Sequence, residues 1–419
     1  MPSPAPLQGP LLLERFTALD EFLSHGYPLW HPEPFTELHL GWEDELPDLA
    51  RWLRSRSLEQ AEASHGLLDL PDAPAPFPGL AGRSRELAEI GAFAPAPART
   101  WPPALCLDVP GRKWQQIQAF AGSLRFSRAP RHWLDWCAGK GHLGRSLAHP
   151  DAALTCLEFD SLLVEDGQRL SDRLGIDASH RLQDVMACNT ADQLRPEHTA
   201  IALHACGDLH VRLLHLASDQ GCGQLAVAPC CYNRIDEAQY RPLSAAAQDS
   251  SLRPDRRDLR LVQSETVTAG ARVRRQRDQS MARRLAFDLL QRELRGIDHY
   301  LPTPSLPVSW LEKSFERYCH DLAELKGLDT PASRDWDRLE AQGWERLAQV
   351  RNLELLRALF RRPLEVWLLL DRALFLQERG YRVQAGRFCE HRLTPRNLLL
   401  LAERSDLPTE PVDNFVDDL

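Results

Sequence analysis

Residues 132–145 constrain the fold more than any other segment, because a short apolar strand runs there into a glycine turn and then into a helix. The segment reads HWLDWCAGKGHLGR. Gly139 and Gly141 have no Cβ, so the backbone can take positive φ and approach a ligand closely. The following helix points free N–H groups at that ligand. With Asp135 at the strand end, the segment predicts a nucleotide-type pocket.

Short apolar runs alternate with helical patterns downstream of this turn. These runs, each bounded by Gly, Asp or Pro, are 133–136, 154–159, 201–204 and 224–228. Such alternation is typical of βαβ units in a parallel sheet. Two late strand patterns, 381–388 and 397–402, predict a closing hairpin preceded by a helix over 363–379. With one further strand that should end near Asp184, the pattern predicts an α/β, Rossmann-like, seven-stranded sheet.

The domain organisation follows from proline clusters and helical periodicity. Residues 1–105 carry proline clusters between the amphipathic segments 12–23 and 49–63, which predicts a helical N-terminal region. Residues 106–405 form the main predicted domain, in which 235–350 is a mainly helical insertion after the fifth strand. Its clearest helical patterns are 281–294 and 311–325. Residues 406–419 form an acidic tail.

Composition excludes several classes of protein. The net charge of −9 argues against a protein that coats nucleic acid without specificity. No apolar run is long enough to span a bilayer, and the N-terminus lacks a secretory pattern, which predicts a cytoplasmic protein with no membrane partner. The ten cysteines show no repeated spacing, so we expect reduced thiols. The oligomeric state is not encoded in any pattern.

The predicted strand ends together describe a cofactor pocket, since ligands of open α/β sheets lie outside the carboxyl ends of the strands. Glu158 follows the glycine turn by about 20 residues, where a carboxylate can accept hydrogen bonds from ribose hydroxyls. Asp160 is the weaker candidate for this role, and Asp184 could accept from an adenine amino group. Asp135 would repel a pyrophosphate but suits the amino group of a methionine moiety. This favours S-adenosylmethionine over NAD.

Three sequence words resemble a known family. They are LDWCAGKGHL from Leu134, ALHACGDL from Ala202 and PCCY from Pro229. They resemble the class I methyltransferase-domain family of methyltransferase-like 25 proteins and glutathione S-transferase C-terminal-domain-containing proteins and, more distantly, tRNA 2′-O-methyltransferases. The resemblance covers about 107–235. It implies binding of S-adenosylmethionine; the predicted cofactor residues are Asp135, Ala138, Gly139, Lys140, Gly141, Glu158, Asp184 and His204.

Candidate catalytic residues follow the fourth and fifth predicted strands. Methyl transfer from a sulfonium is a direct displacement, so positioning can supply most of the acceleration. For a hydroxyl acceptor, a base would help, and His204 or Asp208 lies at the right strand end. For a nitrogen acceptor, backbone carbonyls near Pro229 with Tyr232 and Asn233 could accept its proton and stack on it. Each residue also has a purely structural interpretation, such as a helix cap at Asp208.

The substrate side of the pocket is predicted to include Cys230, Cys231, Tyr232 and Asn233. Cys206 with Cys230 and Cys231 suggests two sharper hypotheses, a soft-metal site and a covalent cysteine nucleophile. Strand-end proximity does not guarantee four tetrahedral ligands. Small residues that let the cofactor approach are the favoured interpretation, and no metal is expected.

The acceptor predicted from the sequence is RNA, either tRNA or rRNA, by a narrow margin. The segment from Arg253 to Arg295 is rich in arginine, which grips phosphates. A solvated helix face is the alternative reading of that segment. Two other functions stay open. A small-molecule or protein methyltransferase would have a closed apolar pocket, and a catalytically silent cofactor-binding module would act through partners.

Overall fold

The computed structural model describes residues 4–64, 66, 69–94, 100–264, 270–330 and 333–405. The predicted acidic tail 406–419 lies outside these residues. Residues 95–99, which belong to one of the N-terminal proline clusters, also lie outside them. Contacts divide the chain into two units. Unit 1 comprises 1–21, 89–263 and 364–419, and unit 2 comprises 22–88 and 264–363. The predicted boundary at residue 105 stays a prediction, because the units follow contacts and not chain order.

Unit 1 contains one eight-stranded sheet in the order β1-β7-β8-β6-β5-β2-β3-β4. Strands β2 to β6 are parallel to one another. Strand β8 pairs antiparallel with both β6 and β7, and β1 pairs antiparallel with β7. The strands are β1 Leu7–Gln8, β2 His132–Trp136, β3 Ala153–Glu158, β4 Ala178–Leu182, β5 His198–Cys206, β6 Gln224–Cys230, β7 Tyr381–Arg387 and β8 Leu398–Arg404.

Fifteen α-helices occur in the described residues. They are α1 Pro10–His25, α2 Tyr27–Trp30, α3 Trp42–Glu45, α4 Pro47–Ser55, α5 Leu58–Ser64, α6 Phe77–Ala88, α7 Gly111–Ser123, α8 His142–Ala148, α9 Ser161–Arg173, α10 Asp208–Asp219, α11 Ala245–Asp249, α12 Asp258–Leu261, α13 Ala271–Arg295, α14 Phe315–Leu325 and α15 Trp336–Glu378. Short 3₁₀ helices cover Pro103–Cys106, Cys188–Gln193 and Val308–Glu312.

The predicted α/β Rossmann-like class is confirmed, including the antiparallel closing hairpin. The predicted count of seven strands is short by one, since the two-residue strand β1 extends the edge beyond β7. The strand predicted to end near Asp184 ends at Leu182. Three of its five residues, Ser179, His180 and Arg181, are polar and none of the five is fully buried on this edge strand, which weakened the apolar signal.

Three predicted helices have different bounds. The segment 49–63 is two helices, because Arg56 is extended at φ −79° and ψ 143°. The helix predicted over 311–325 begins at Phe315, where the Ser314 side chain caps it by accepting from the Arg317 N–H. The helix predicted to start at Pro363 continues backwards to Trp336, with proline in its interior.

The core beneath the site packs apolar side chains from α7, α8 and the central strands. Ile117, Phe120, Leu147, Leu154 and Ile201 are buried members of this cluster in unit 1. Burial of such side chains contributes about 1.5–3 kcal/mol each, so the sheet is a rigid platform for its loops. Unit 2 has its own helical core, in which Phe287, Leu290 and Leu322 are fully buried. No helix in the described ranges is long and apolar enough to cross a membrane.

Candidate functional site

The glycine turn between β2 and α8 has the predicted backbone. Gly139 and Gly141 have φ of +56° and +71°, and Cys137 also has a positive φ of +55°. A Cβ on Gly139 would meet no atom within 4 Å, so the turn is open on that side. A Cβ on Gly141 would lie 2.6 Å from a carbon of the His180 ring, so its absence lets the turn pack tightly.

The buried residue Arg145 holds this turn from below, and the sequence analysis did not single it out. Its guanidinium donates to the Lys140 carbonyl and lies 3.0 Å from His142 Nδ1. Lys140, predicted to bind the cofactor, forms an ion pair with Asp166 on α9, at 2.8 Å. Ala138 donates its N–H to the Leu157 carbonyl.

Asp135 is almost fully buried at the end of β2. One carboxylate oxygen accepts the Gly144 N–H of α8 at 2.9 Å. Burial raises the pKa of Asp135 from 3.8 to about 7, and the charge of Glu158 adds to this rise, while the Gly144 N–H, Lys113 and Arg145 oppose it. The carboxyl group therefore changes its charge near neutral pH.

Glu158 faces the glycine turn, as predicted from its spacing. Its Oε2 accepts the Gly139 N–H at 2.8 Å, and its Oε1 accepts the N–H groups of Phe159 and Asp160. Asp160 instead caps α9 by accepting from Leu162 and Leu163. The structure thus separates the two candidate carboxylates, since only Glu158 contacts the turn.

Exposed apolar side chains border the ends of β3 and β4. Phe159 is 73% exposed and Leu162 69%, although such residues are normally covered. Asp184 lies two residues past β4, where its side chain accepts the N–H of the exposed Met186. The sequence analysis missed Phe159, Leu162 and Met186; an apolar residue directly after the predicted strand end was the available signal.

His204 lies at a β-bulge in β5 and has a φ of +66°. Its Nε2 lies 2.9 Å from Gln116 Oε1, which can only accept, so Nε2 carries the proton. Nδ1 therefore has a free lone pair; it is buried and has no hydrogen-bond partner among the described residues. Burial, aided by the charges of Arg396 and Lys113, lowers the pKa of His204 to about 4.

The carboxyl ends of β5 and β6 lie side by side at Gly207. Its N–H donates to the Cys230 carbonyl, and its φ is +51°. A Cβ there would lie 1.9 Å from the Arg234 carbonyl oxygen, so only glycine fits. Asp208, predicted as catalytic or as a cap, accepts the Asp236 N–H and so anchors the loop after β6.

Three cysteine sulfurs lie close together at the ends of β5 and β6. Those of Cys206, Cys230 and Cys231 all lie within 4.8 Å of one another, and all ten cysteines are free thiols. Hydrogen bonds from the other two thiols, together with Arg396 and Arg234, lower the pKa of Cys231, whereas the pKa values of Cys206 and Cys230 are raised. The trio therefore favours a thiolate at Cys231.

Tyr232, predicted to touch substrate, is only 1% exposed. It packs edge-on against His210 and under the Arg372 guanidinium. Arg372 donates to His210 Nε2 at 2.7 Å, which leaves His210 Nδ1 to donate to the Ala205 carbonyl at 3.0 Å. This buried network supports the β5 bulge from behind. Asn233 is half-buried beside it.

A surface cavity of about 780 Å³ lies between α7 and the turn that joins β7 to β8. Its lining residues are Arg112, Gln115, Gln118, Glu390, Arg392 and Leu393. Gln116 connects the cavity to the site, because its side chain bonds both His204 and the Leu393 carbonyl. Arg112 donates to the same carbonyl at 2.9 Å. Through Gln116, His204 is therefore linked to a polar cavity whose rim carries two arginines.

Several arginines of the segment 253–295 are engaged within the protein. Arg283 is buried and paired with Glu340, and Arg292 is buried against Asp288. Arg256 donates to backbone carbonyls of the loop after β6. These contacts leave fewer arginines of this segment for a phosphate backbone than the sequence suggests.

A family model matches the part of the chain that contains the site. Residues 112–238, from α7 to the loop after β6, match a family model described as "Methyltransferase domain". The matched range contains the glycine turn, Glu158, His204 and the three clustered cysteines. This part of the chain is therefore similar to a methyltransferase domain, which implies S-adenosylmethionine as its cofactor.

Three solved structures are similar over part of this chain. One concerns conversion of a disulfide bond into a thioacetal group during echinomycin biosynthesis, with 17% identity, 33% of this chain and 52% of that chain covered, and a TM-score of 0.22. A geranyl diphosphate methyltransferase with GPP and sinefungin has 14% identity, 43% and 64% coverage and a TM-score of 0.24. The 23S rRNA methyltransferase ErmE has 13% identity, 56% and 96% coverage and a TM-score of 0.24.

The chain spans about half of the first of these structures and slightly under two thirds of the second. Identity and TM-score are low for all three. The identification of the domain therefore depends on the family model.

Proposed function

We propose that this methyltransferase domain transfers the methyl group of S-adenosylmethionine to RNA. The observation that carries the proposal is the polar cavity between α7 and the turn after β7, whose rim includes Arg112 and Arg392 and which the Gln116 side chain joins to His204. Guanidinium groups match phosphate oxygens in pairs, and RNA presents them along its backbone.

The residues around the glycine turn fit the cofactor. The open side of Gly139 allows close backbone approach, and the Glu158 carboxylate suits the ribose hydroxyls. The exposed ring of Phe159 offers an apolar surface for adenine, with Asp184 and Met186 on the neighbouring strand end. Asp135 suits the ammonium group, since its pKa near 7 would fall on pairing with a positive charge.

His204 is assigned to the acceptor. When bound, S-adenosylmethionine supplies an electrophilic methyl group on a sulfonium. With a pKa of about 4, the imidazole is neutral at pH 7, and its Nδ1 is the nitrogen left to accept a hydrogen bond from an O–H or N–H of the acceptor once a local movement uncovers it. Gln116 fixes the ring tautomer. His204 thus orients the attacking atom, which is the main requirement of an in-line displacement.

Transfer of radiolabelled methyl groups tests the acceptor class. Total RNA from a strain of the source organism that lacks this gene is incubated with the protein and labelled S-adenosylmethionine. We expect label in RNA that ribonuclease releases. Label that appears only in protein or in small molecules, with the RNA intact, would overturn the proposal.

Charge variants test the rim. Arg112→Gln should raise the KM for RNA with little change in cofactor affinity, and Arg112→Lys should restore part of the loss because it keeps the charge. Arg51→Gln is the matched control, since Arg51 is an exposed helical arginine in unit 2. Equal effects of the Arg112 and Arg51 changes would argue against a phosphate contact at Arg112.

A further inference from the structure

We propose that Cys206, Cys230 and Cys231 form a binding site for a zinc ion, with the fourth coordination position open. The domain match does not assign such a site, and the inference does not depend on the identity of the acceptor. The sequence analysis expected no metal. The sequence alone does not determine the distances between the three sulfurs, whereas the structure does.

The sulfur geometry suits a tetrahedral ion. Cys206 Sγ and Cys230 Sγ lie 3.6 Å apart, and all three sulfurs lie within 4.8 Å of one another. Two thiolates bound to Zn²⁺ at about 2.3 Å in tetrahedral geometry stand ~3.8 Å apart. Movements of a few tenths of an ångström to about one ångström would therefore bring three ligands onto one ion.

The backbone holds the sulfurs together through two constrained positions. Cys206 and Cys230 are partners in register on the neighbouring strands β5 and β6. The Gly207 N–H donates to the Cys230 carbonyl and so joins the ends of the two strands. Cys231 has a φ of +48°, a conformation that residues with a Cβ rarely adopt. Such strain persists where the surroundings enforce it and is common at functional sites.

Charge and exposure also fit an open zinc site. Three thiolates and Zn²⁺ carry a net charge of −1, and the guanidinium groups of Arg234 and Arg396 act on Cys231 with the opposite sign. Cys206 and Cys231 are only half-buried, so one side of the trio is accessible. Three protein ligands with one free position are typical of catalytic and not structural zinc, and thiolates select such soft ions.

Metal analysis of the full-length protein tests the proposal. Protein purified with a reductant and no chelator is desalted, and its zinc is measured by inductively coupled plasma mass spectrometry. We expect about one zinc per chain. After the zinc is stripped, added Cd²⁺ should produce a thiolate-to-cadmium charge-transfer band in the ultraviolet, which reports sulfur ligands without any substitution.

Variants identify the ligands. Cys206→Ser, Cys230→Ser and Cys231→Ser should each weaken zinc binding by at least ~10-fold in competition with a coloured chelator. Cys188→Ser is the control, since Cys188 is exposed and outside the trio. Circular dichroism checks the fold of each variant. Folded, reduced wild-type protein that binds neither Zn²⁺ nor Cd²⁺, or an equal loss in Cys188→Ser, would overturn the proposal.

Discussion

Gly207 shows how strictly a single residue is constrained at the site. A side chain there would meet both an unfavourable positive φ and the Arg234 carbonyl at 1.9 Å. At φ +51° and ψ −126° the backbone lies in a region that favours glycine, which costs about 1–3 kcal/mol for a residue with a Cβ. We predict that Gly207→Ala lowers the free energy of unfolding by ~3 kcal/mol or more, because backbone atoms must also move.

Urea denaturation measures this effect, with Gly175→Ala as the control. Gly175 is also in unit 1 and has a φ of +64°, but a Cβ there would meet nothing within 4 Å. It should therefore show only the cost of the dihedral angle. Equal losses in the two variants would contradict a tight contact between position 207 and the Arg234 carbonyl.

Asp135 gives the ligand-free protein a pH-dependent stability. Burial raises its folded-state pKa to about 7 from 3.8, so the folded protein keeps a proton that the unfolded chain has lost between these values. The contribution of Asp135 to stability is thus full below about pH 4 and falls as the pH rises to 7, by ~1.4 kcal/mol per unit at most.

Comparison with Asp135→Asn isolates this contribution. We predict that the wild type loses stability relative to Asp135→Asn as the pH rises from 4 to 7, and that the difference is constant above pH 7.5. Urea titrations at each pH measure it, and Asp160→Asn is the control because Asp160 is exposed. A constant difference across the whole range would contradict the raised pKa.

At the scale of elements, the long helix α15 explains why one sequence prediction was wrong. Proline removes the N–H that the carbonyl four residues earlier would accept, so a helix start at Pro363 was expected. In unit 2, the buried Ser84 hydroxyl donates to that carbonyl, on Leu359. A distant side chain thus replaces the missing backbone donor, and nothing near Pro363 in the sequence reveals it.

A double-mutant cycle tests this compensation. Ser84→Ala should lower the free energy of unfolding by about 1–3 kcal/mol, because a buried carbonyl loses its donor. In the Pro363→Ala background, the new backbone N–H can serve Leu359, so the same change should cost less. Chemical denaturation of the four proteins gives the coupling energy. Additive effects would show that Ser84 does not act through the proline.

The sequence predicted the elements with strong local signals. The glycine turn, the parallel strands and the closing hairpin are confirmed because apolar runs and glycines determine them locally. The Arg372–His210 network was not predicted, since it depends on residues 162 positions apart in sequence, and the Arg145 support and the split at Arg56 were not predicted because no periodic pattern marks them. The roles of Glu158, His204 and the other site residues stay predictions, although the structure brings Glu158 to the turn.

At the scale of the whole molecule, charge limits how RNA can be bound. A net charge of −9 disfavours a broad electrostatic surface, so the proposed contacts concentrate on the rim near Arg112 and Arg392. Each phosphate contact adds ~0.7 to the slope of log affinity against log salt for single-stranded RNA. The proposal therefore predicts a shallow dependence on salt.

Salt titrations of RNA binding measure this slope. Arg112→Gln should reduce it by about 0.7, and Arg51→Gln should leave it unchanged. Fluorescence anisotropy of a labelled RNA that the protein methylates supplies the affinities. A steep slope that neither substitution changes would place the phosphate contacts elsewhere.

Calorimetric titration with S-adenosylmethionine tests the central claim, that the strand ends around the glycine turn bind the cofactor. Cofactor-free wild type should bind one equivalent, and Glu158→Gln should weaken binding by ~10-fold or more, because charge-assisted hydrogen bonds to ribose are lost. Asp160→Asn, two residues away, should bind like the wild type. Folded wild type that does not bind, or a Glu158→Gln variant that binds as tightly as the wild type, would contradict this account.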